Sequence, residues 1–157
     1  MILKNWIFSL VLKSLYSWQA TNTTLENIPN RIVFFDGVCG LCNKTVDFLI
    51  QKDTNKVLRY APLQGYTARR LLSKMYIEDL DSVVYYRDGK YLVRSSAVLR
   101  LLLDVGGWWK LLSIFLILPA FVRDFVYYAI ATRRYKWFGK SDTCRLPSKE
   151  ERELFLD

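Results

Sequence analysis

Asp36-Gly37-Val38-Cys39-Gly40-Leu41-Cys42 decides how the rest of this chain is read. Four apolar residues, Ile32-Val33-Phe34-Phe35, run straight into it, and Asn43-Lys44-Thr45-Val46-Asp47-Phe48-Leu49-Ile50 leaves it with helical spacing. The reading is a buried strand, a tight glycine-bearing turn, and a helix whose first turn carries two cysteines. The first turn of a helix has unpartnered N–H groups and a partial positive charge, which favour a thiolate at Cys39 over the thiol. Cysteines so placed have pKa values of roughly 3.5 to 7.5, against about 8.5 for a free one. The spacing lets Cys42 attack a mixed disulfide formed at Cys39. Cys39 is therefore the expected nucleophile and Cys42 the resolving thiol.

Working outward, Arg31 to Phe35 is expected to be a central parallel strand, and the helix is expected over Asn43 to Gln51. A turn at Asp53-Thr54-Asn55 leads to a second strand, Val57 to Ala61, which Pro62 should stop. Thr67 to Met75 has helical spacing. Val83 to Arg87 and Lys90 to Val93 flank Asp88-Gly89, a two-residue hairpin turn that needs positive φ. Ser95 or Ser96 should cap a helix through Leu103. Strand, helix, strand, helix, hairpin, helix (βαβα-ββα) is the thioredoxin order, an α/β fold with a mixed sheet. Beyond Gly106-Gly107 lies an apolar C-terminal helical extension, about residues 105–135, with Trp108 to Leu118 and Phe121 to Arg134 as its helices. Its charge-free run, Leu111 to Val122, is 12 residues, below the roughly 20 that span a bilayer. One reading has these helices cover the sheet; the other makes them a surface that docks on a membrane or a membrane protein.

Residues 1–30 stand apart. Met1 to Trp18 is expected to be an apolar helix packed on the domain or lying on a membrane, and Thr21 to Asn30 a linker. The uncharged run between Lys4 and Lys13 is only eight residues, again short of a span, and it lacks a signal-peptide cleavage pattern. Residues 31–157 form the single domain, at a chain length of 157 large enough for its own core. The chain has no histidine. Ser-His and Cys-His nucleophile pairs, histidine-ligated zinc and imidazole acid–base chemistry are excluded together. Three cysteines are too few for a disulfide-stapled secreted scaffold, and a cytoplasmic setting, in solution or against a membrane, fits them. The net charge of +8 is not gathered into a nucleic-acid-reading motif, so no nucleic-acid partner is expected. Arg133 to Trp137 reads either as a phosphate or anionic-lipid contact or as a solvated helix end.

Assembled, these residues resemble the DCC family of thiol-disulfide oxidoreductases, whose signature is Asp-x-x-Cys-x-x-Cys, here Asp36, Cys39 and Cys42. The likeness continues through Ser95-Ser96-Ala97, the block Arg134-Tyr135-Lys136-Trp137-Phe138-Gly139, and Cys144-Arg145-Leu146-Pro147 with the acidic end from Glu150 to Leu156. It covers about residues 31–156. It implies a thioredoxin-like enzyme that exchanges a dithiol with a thiol or disulfide substrate, protein or small molecule, without a bound organic cofactor or a resident metal.

Several residues carry two readings. Asp36 either accepts turn N–H groups or tunes the cysteines, and a charge beside Cys39 would raise that thiol's pKa. Gly37 and Gly40 are expected to permit the turn and leave the sulfur open to a partner's backbone. Cys144 is a third redox partner or a small buried residue. Tyr60, Tyr85, Tyr86 and Tyr91 read as strand residues on a half-buried sheet. As zinc ligands, the three thiols would need a carboxylate such as Asp36. Thioredoxin-like enzymes have a cis-proline just before the hairpin; here Asp81-Ser82 precedes Val83, and Ser82 could offer Cys39 a hydroxyl. The rival class is a non-catalytic membrane-surface or protein-binding module with the CxxC as redox sensor or metal clip.

Overall fold

The computed structural model describes residues 28–72 and 83–157. The expected helix at 1–18, most of the linker, the end of the helix expected to reach Met75, and Ser82 lie outside the described residues. Four strands, β1 (Arg31–Phe35), β2 (Arg59–Pro62), β3 (Val84–Arg87) and β4 (Lys90–Val93), form one sheet in the order β2-β1-β3-β4. β1 runs parallel to β2 and antiparallel to β3, and β3 is antiparallel to β4. With α1 (Gly40–Lys52) between β1 and β2, α2 (Tyr66–Leu71) after β2, and α3 (Arg94–Val105) after β4, this is the thioredoxin-like arrangement.

The uninterrupted apolar run of β1 fills both faces of the sheet. Val33 and Phe35 join the core with Val46 and Leu49 of α1 and Leu101 of α3, whereas Ile32 and Phe34 pack with Ala68 and Leu72 beside α2. Period-two alternation thus makes two cores from one strand. The hairpin forms as expected, Asp88 and Gly89 both having positive φ, 48° and 83°. Tyr60 and Tyr85 are fully buried, while Tyr91 is exposed.

The start of β2 and the cap of α3 differ from the sequence expectation. β2 begins at Arg59 because the Leu58 N–H donates to Asp53 Oδ2 at 2.8 Å rather than to a strand. Pro62 is the last residue of β2, opposite Phe35, so the strand stops at the proline as expected, in a position that an edge strand tolerates. Neither Ser95 nor Ser96 caps α3. The N-cap is Val93 with no side-chain bond, and the Ser95 hydroxyl donates to Asp124 of the following helix instead.

The extension is not two regular α-helices. After Gly106 and Gly107, both at positive φ, Gly107–Ile117 winds as a 3-10 helix, followed by α4 (Ala120–Ala131) and α5 (Arg134–Phe138). At three residues per turn, Trp108, Leu111, Ile114 and Ile117 fall on one row, and all four are exposed, Ile117 by 81%. Phe121 and Phe125 of α4 continue this outward apolar surface. Trp109, off the row, turns inward and meets Phe48 of α1 edge-to-face at 4.8 Å. No helix among the described residues is long and apolar enough to cross a membrane.

Candidate redox site

The turn after β1 delivers Cys39 to the N-cap of α1, with extended backbone (φ −86°, ψ 121°). Its sulfur accepts the Cys42 N–H at 3.3 Å, the position a serine or aspartate oxygen usually occupies. That cap starts the helix at Gly40, three residues before the expected Asn43. Cys42 then stands in the first turn and borders an apolar cavity of about 340 Å³ between the sheet, α1, α3 and α4. All three cysteines are free thiols.

The charge around the pair is set from a distance in sequence. Asp36 is 2% exposed. One oxygen accepts Val38 N–H at 3.2 Å and Gln64 Nε2 at 2.8 Å. The other accepts Arg134 Nη2 at 3.1 Å and the Tyr135 hydroxyl. Arg134 is 3% exposed and also donates to the Tyr135 oxygen at 2.8 Å, its guanidinium lying 4.6 Å from that ring's centre. Within the block Arg133 to Trp137, Arg134 is therefore neither solvated nor an anion contact, because that cation is buried against Asp36, whereas Arg133, Lys136 and Trp137 are exposed. Asp36 does accept a turn N–H, from Val38, while the Cys39 N–H goes to the Asp36 carbonyl at 3.2 Å.

These surroundings separate the two thiols. The Cys42 S–H bond to Cys39 is the largest influence, and with the Cys42 and Leu41 N–H groups and the Arg134 charge it outweighs burial, holding Cys39 down at about 6 against an ordinary 9.0. The same hydrogen bond, burial and the Cys39 charge push Cys42 far up. Burial and then the Asp36 charge raise Cys144.

The expectation that Gly37 and Gly40 leave the sulfur open is corrected. Residues 139–145 run antiparallel along the redox loop: Gly40 N–H donates to Gly139 O at 3.2 Å, Ser141 N–H to Val38 O at 2.8 Å, and Arg145 N–H to Gly37 O at 3.0 Å. A Cβ at Gly40 would lie 2.2 Å from the Phe138 carbonyl, and one at Gly37 2.1 Å from Cys144 Sγ. Both glycines are needed so that the tail can lie flat on them, and Cys39 is 0% exposed beneath it. Cys144 thus packs on the turn at Gly37. Just before β3, the Val83 N–H donates to Tyr127 Oη at 3.0 Å, a bond that a proline there could not make.

Arg134, Tyr135 and Gln64 were not singled out individually from sequence. The first two lay in plain view in the Arg-Tyr-x-Trp-Phe-Gly block, whereas Gln64 carried no signal. Among the described residues no group of three or more potential metal-ligating side chains gathers, and both oxygens of Asp36 are engaged.

A thioredoxin-like sheet with a CxxC at the head of its first helix defines a protein of the thiol-redox class. The chain belongs to the DCC1-like thiol-disulfide oxidoreductase family, whose model matches residues 33–140. It is 42% identical over 135 residues to the uncharacterized protein YuxK of Bacillus subtilis (strain 168), covering 85% of this chain and 98% of that one. It is 37% identical over 129 residues to a chloroplastic DCC family protein of Arabidopsis thaliana, covering 80% of this chain and 75% of the relative. No solved structure matches the chain.

Proposed function

We propose that this protein is a thiol-disulfide oxidoreductase in which Cys39 attacks a disulfide of a protein or small-thiol partner and Cys42 resolves the mixed disulfide. The observation that carries the reading is the Cys39 sulfur at the helix N-cap, accepting the Cys42 N–H at 3.3 Å. Thiolate is the attacking form, and a low-pKa thiol is present as thiolate at neutral pH. Asp36 acts by holding Arg134 beside the pair, so its charge is balanced rather than imposed on Cys39. The 139–145 tail must lift for a partner to reach Cys39, and Cys144 moves with it. Reducing equivalents come from another dithiol or a small thiol.

Equilibrating the protein against a glutathione series, trapping thiols and mapping disulfides by mass spectrometry tests the reading. A reversible Cys39–Cys42 bond with a defined potential supports it. Cysteines that stay unpaired across the range, or that bind zinc, refute it.

The exposed row Trp108, Leu111, Ile114 and Ile117 favours a second, compatible reading, a contact surface for a membrane or an apolar partner. Co-sedimentation of the Cys39→Ser protein with anionic vesicles separates the two, since binding survives that change and exchange does not.

A further inference from the structure

The two sulfurs of the redox pair face different surroundings. Cys39 is sealed under the tail, whereas Cys42 is on the wall of the 340 Å³ cavity, which Cys39 does not border. The other walls are mostly apolar, with Val33 and Phe35 from β1, Val46 from α1, Leu101 from α3 and Ile130 from α4, while Thr45, Tyr127 and Arg134 also line the cavity. The cavity reaches the surface between α1 and α4, where its lining residues Thr45 and Ile130 are exposed. Val122 and Val126, exposed and spaced four apart before Ile130, lead along α4 to that mouth.

We propose that this cavity binds a small apolar thiol, whose sulfur exchanges with Cys42 while the tail stays closed over Cys39. The proposal rests on Cys39 and Cys42 being an exchange pair; attack by Cys39 stays the route for disulfides that reach it once the tail lifts, and this one class of thiol takes a second route through Cys42.

Size and polarity select the ligand. An apolar cavity of about 150 Å³ takes benzene, and ligand pockets begin at roughly 300 Å³, so this one suits one or two rings or a short alkyl chain. A peptide would bring backbone N–H and C=O groups that these mostly apolar walls cannot satisfy, and glutathione would bring charged carboxylates and an ammonium, whereas the lining's cation, Arg134, is already held by Asp36. In the oxidised protein the entering thiol gives its proton to solvent at the mouth and attacks Cys42 Sγ. A bond forms between the entering sulfur and Cys42, the Cys39–Cys42 bond breaks, and its electron pair leaves on Cys39 as thiolate. The N–H groups of Leu41 and Cys42 and the Arg134 charge stabilise that leaving group, and a lower-pKa thiol leaves faster. The reverse step has Cys39 attack Cys42 Sγ and expel the apolar thiolate.

The test uses the oxidised full chain with thiophenol and with glutathione at equal thiolate concentration. Each rate is normalised to that thiol's rate with oxidised dithiothreitol, and early mixed disulfides are trapped and mapped. Thiophenol is expected to react at least tenfold faster, with its adduct on Cys42. In Ala131→Leu, which fills the cavity from α4, the ratio should fall to about one, with circular dichroism verifying the fold. An adduct on Cys39, a wild-type ratio near one, or a ratio that Ala131→Leu leaves unchanged would overturn the proposal. Separately, toluene should shift the methyl resonances of Val46 and Ala131 in the reduced protein, and absence of any shift overturns apolar binding. If no Cys39–Cys42 bond forms at all, the exchange reading has failed, and the toluene titration still decides whether the cavity takes an apolar molecule.

Discussion

Arg134 and Asp36, 98 residues apart in the chain, form a buried ion pair at 3.1 Å behind the redox cysteines. The pair reconciles two opposed influences. Alone, a carboxylate three residues before Cys39 would oppose a thiolate there, but paired it serves to anchor a cation that favours one.

Removing one partner leaves the other charge buried and uncompensated, which typically costs about 3–5 kcal/mol. Arg134→Met should destabilise the protein by that order and raise the Cys39 pKa. The double change Asp36→Asn with Arg134→Gln should recover part of the stability. Chemical denaturation of both variants checks this, and equal stability of the single and the double variant would contradict it.

Thiolate formation sets a pH dependence with a definite sign. Cys39 ionises at about 6 in the folded protein against 9.0 ordinarily. Between those values the unfolded chain holds a proton that the folded one has lost, so stability rises with pH. The contribution is complete above pH 9 and lost as pH falls through 6. With no histidine in the chain, few other groups titrate in that window. Reduced wild-type protein should therefore gain a few kcal/mol between pH 6 and 9, and Cys39→Ser should not. Ultraviolet titration should show one thiolate appearing near pH 6.

Gly40 lies against the Phe138 carbonyl, where an added Cβ would stand 2.2 Å away. Backbone cannot yield there without the tail lifting. Gly40→Ala is expected to cost about 1–3 kcal/mol, as overpacking does, and to speed alkylation of Cys39 by iodoacetamide at least tenfold. Unchanged alkylation would mean that the tail does not limit access.

Away from the redox site, Asp104 accepts Tyr85 Oη at 2.7 Å and Arg87 at 2.7 and 3.0 Å. Burial works to raise its carboxyl pKa, but the bonds from Arg87 and Tyr85 outweigh it and the net shift is downward. Stability from this group is present above the ordinary value of 3.8 and lost as pH falls below it. Asp104→Asn should lower stability by about 1–3 kcal/mol at neutral pH and flatten the acid limb of the pH profile, as measured by urea melts.

Much of the site was legible because local chemistry wrote it. Asp36 to Cys42 lies between an apolar strand and a helical run, so the placement of two thiols at a helix start needed no long-range contact. Asp88-Gly89 fixed the hairpin in the same way, since few residue pairs accept positive φ in succession. Ser95 misled because its hydroxyl found Asp124 across the fold, a competitor for the cap that spacing does not reveal. The apolar extension misled because i, i+3 and i, i+4 patterns overlap when nearly every residue is apolar, so 3-10 and α winding read alike.

The sequence by itself determined the succession of strands and helices along the chain, the cysteine pair at the head of α1 and the hairpin, because each depends on neighbours a few residues apart. Tertiary structure alone decided that Cys39 is closed and Cys42 faces a cavity, that Arg134 neutralises Asp36, and that Gly37 and Gly40 seat the tail. Those outcomes are contacts between segments about a hundred residues apart. Their energies come from burial and charge pairing, which exist only once the chain has folded.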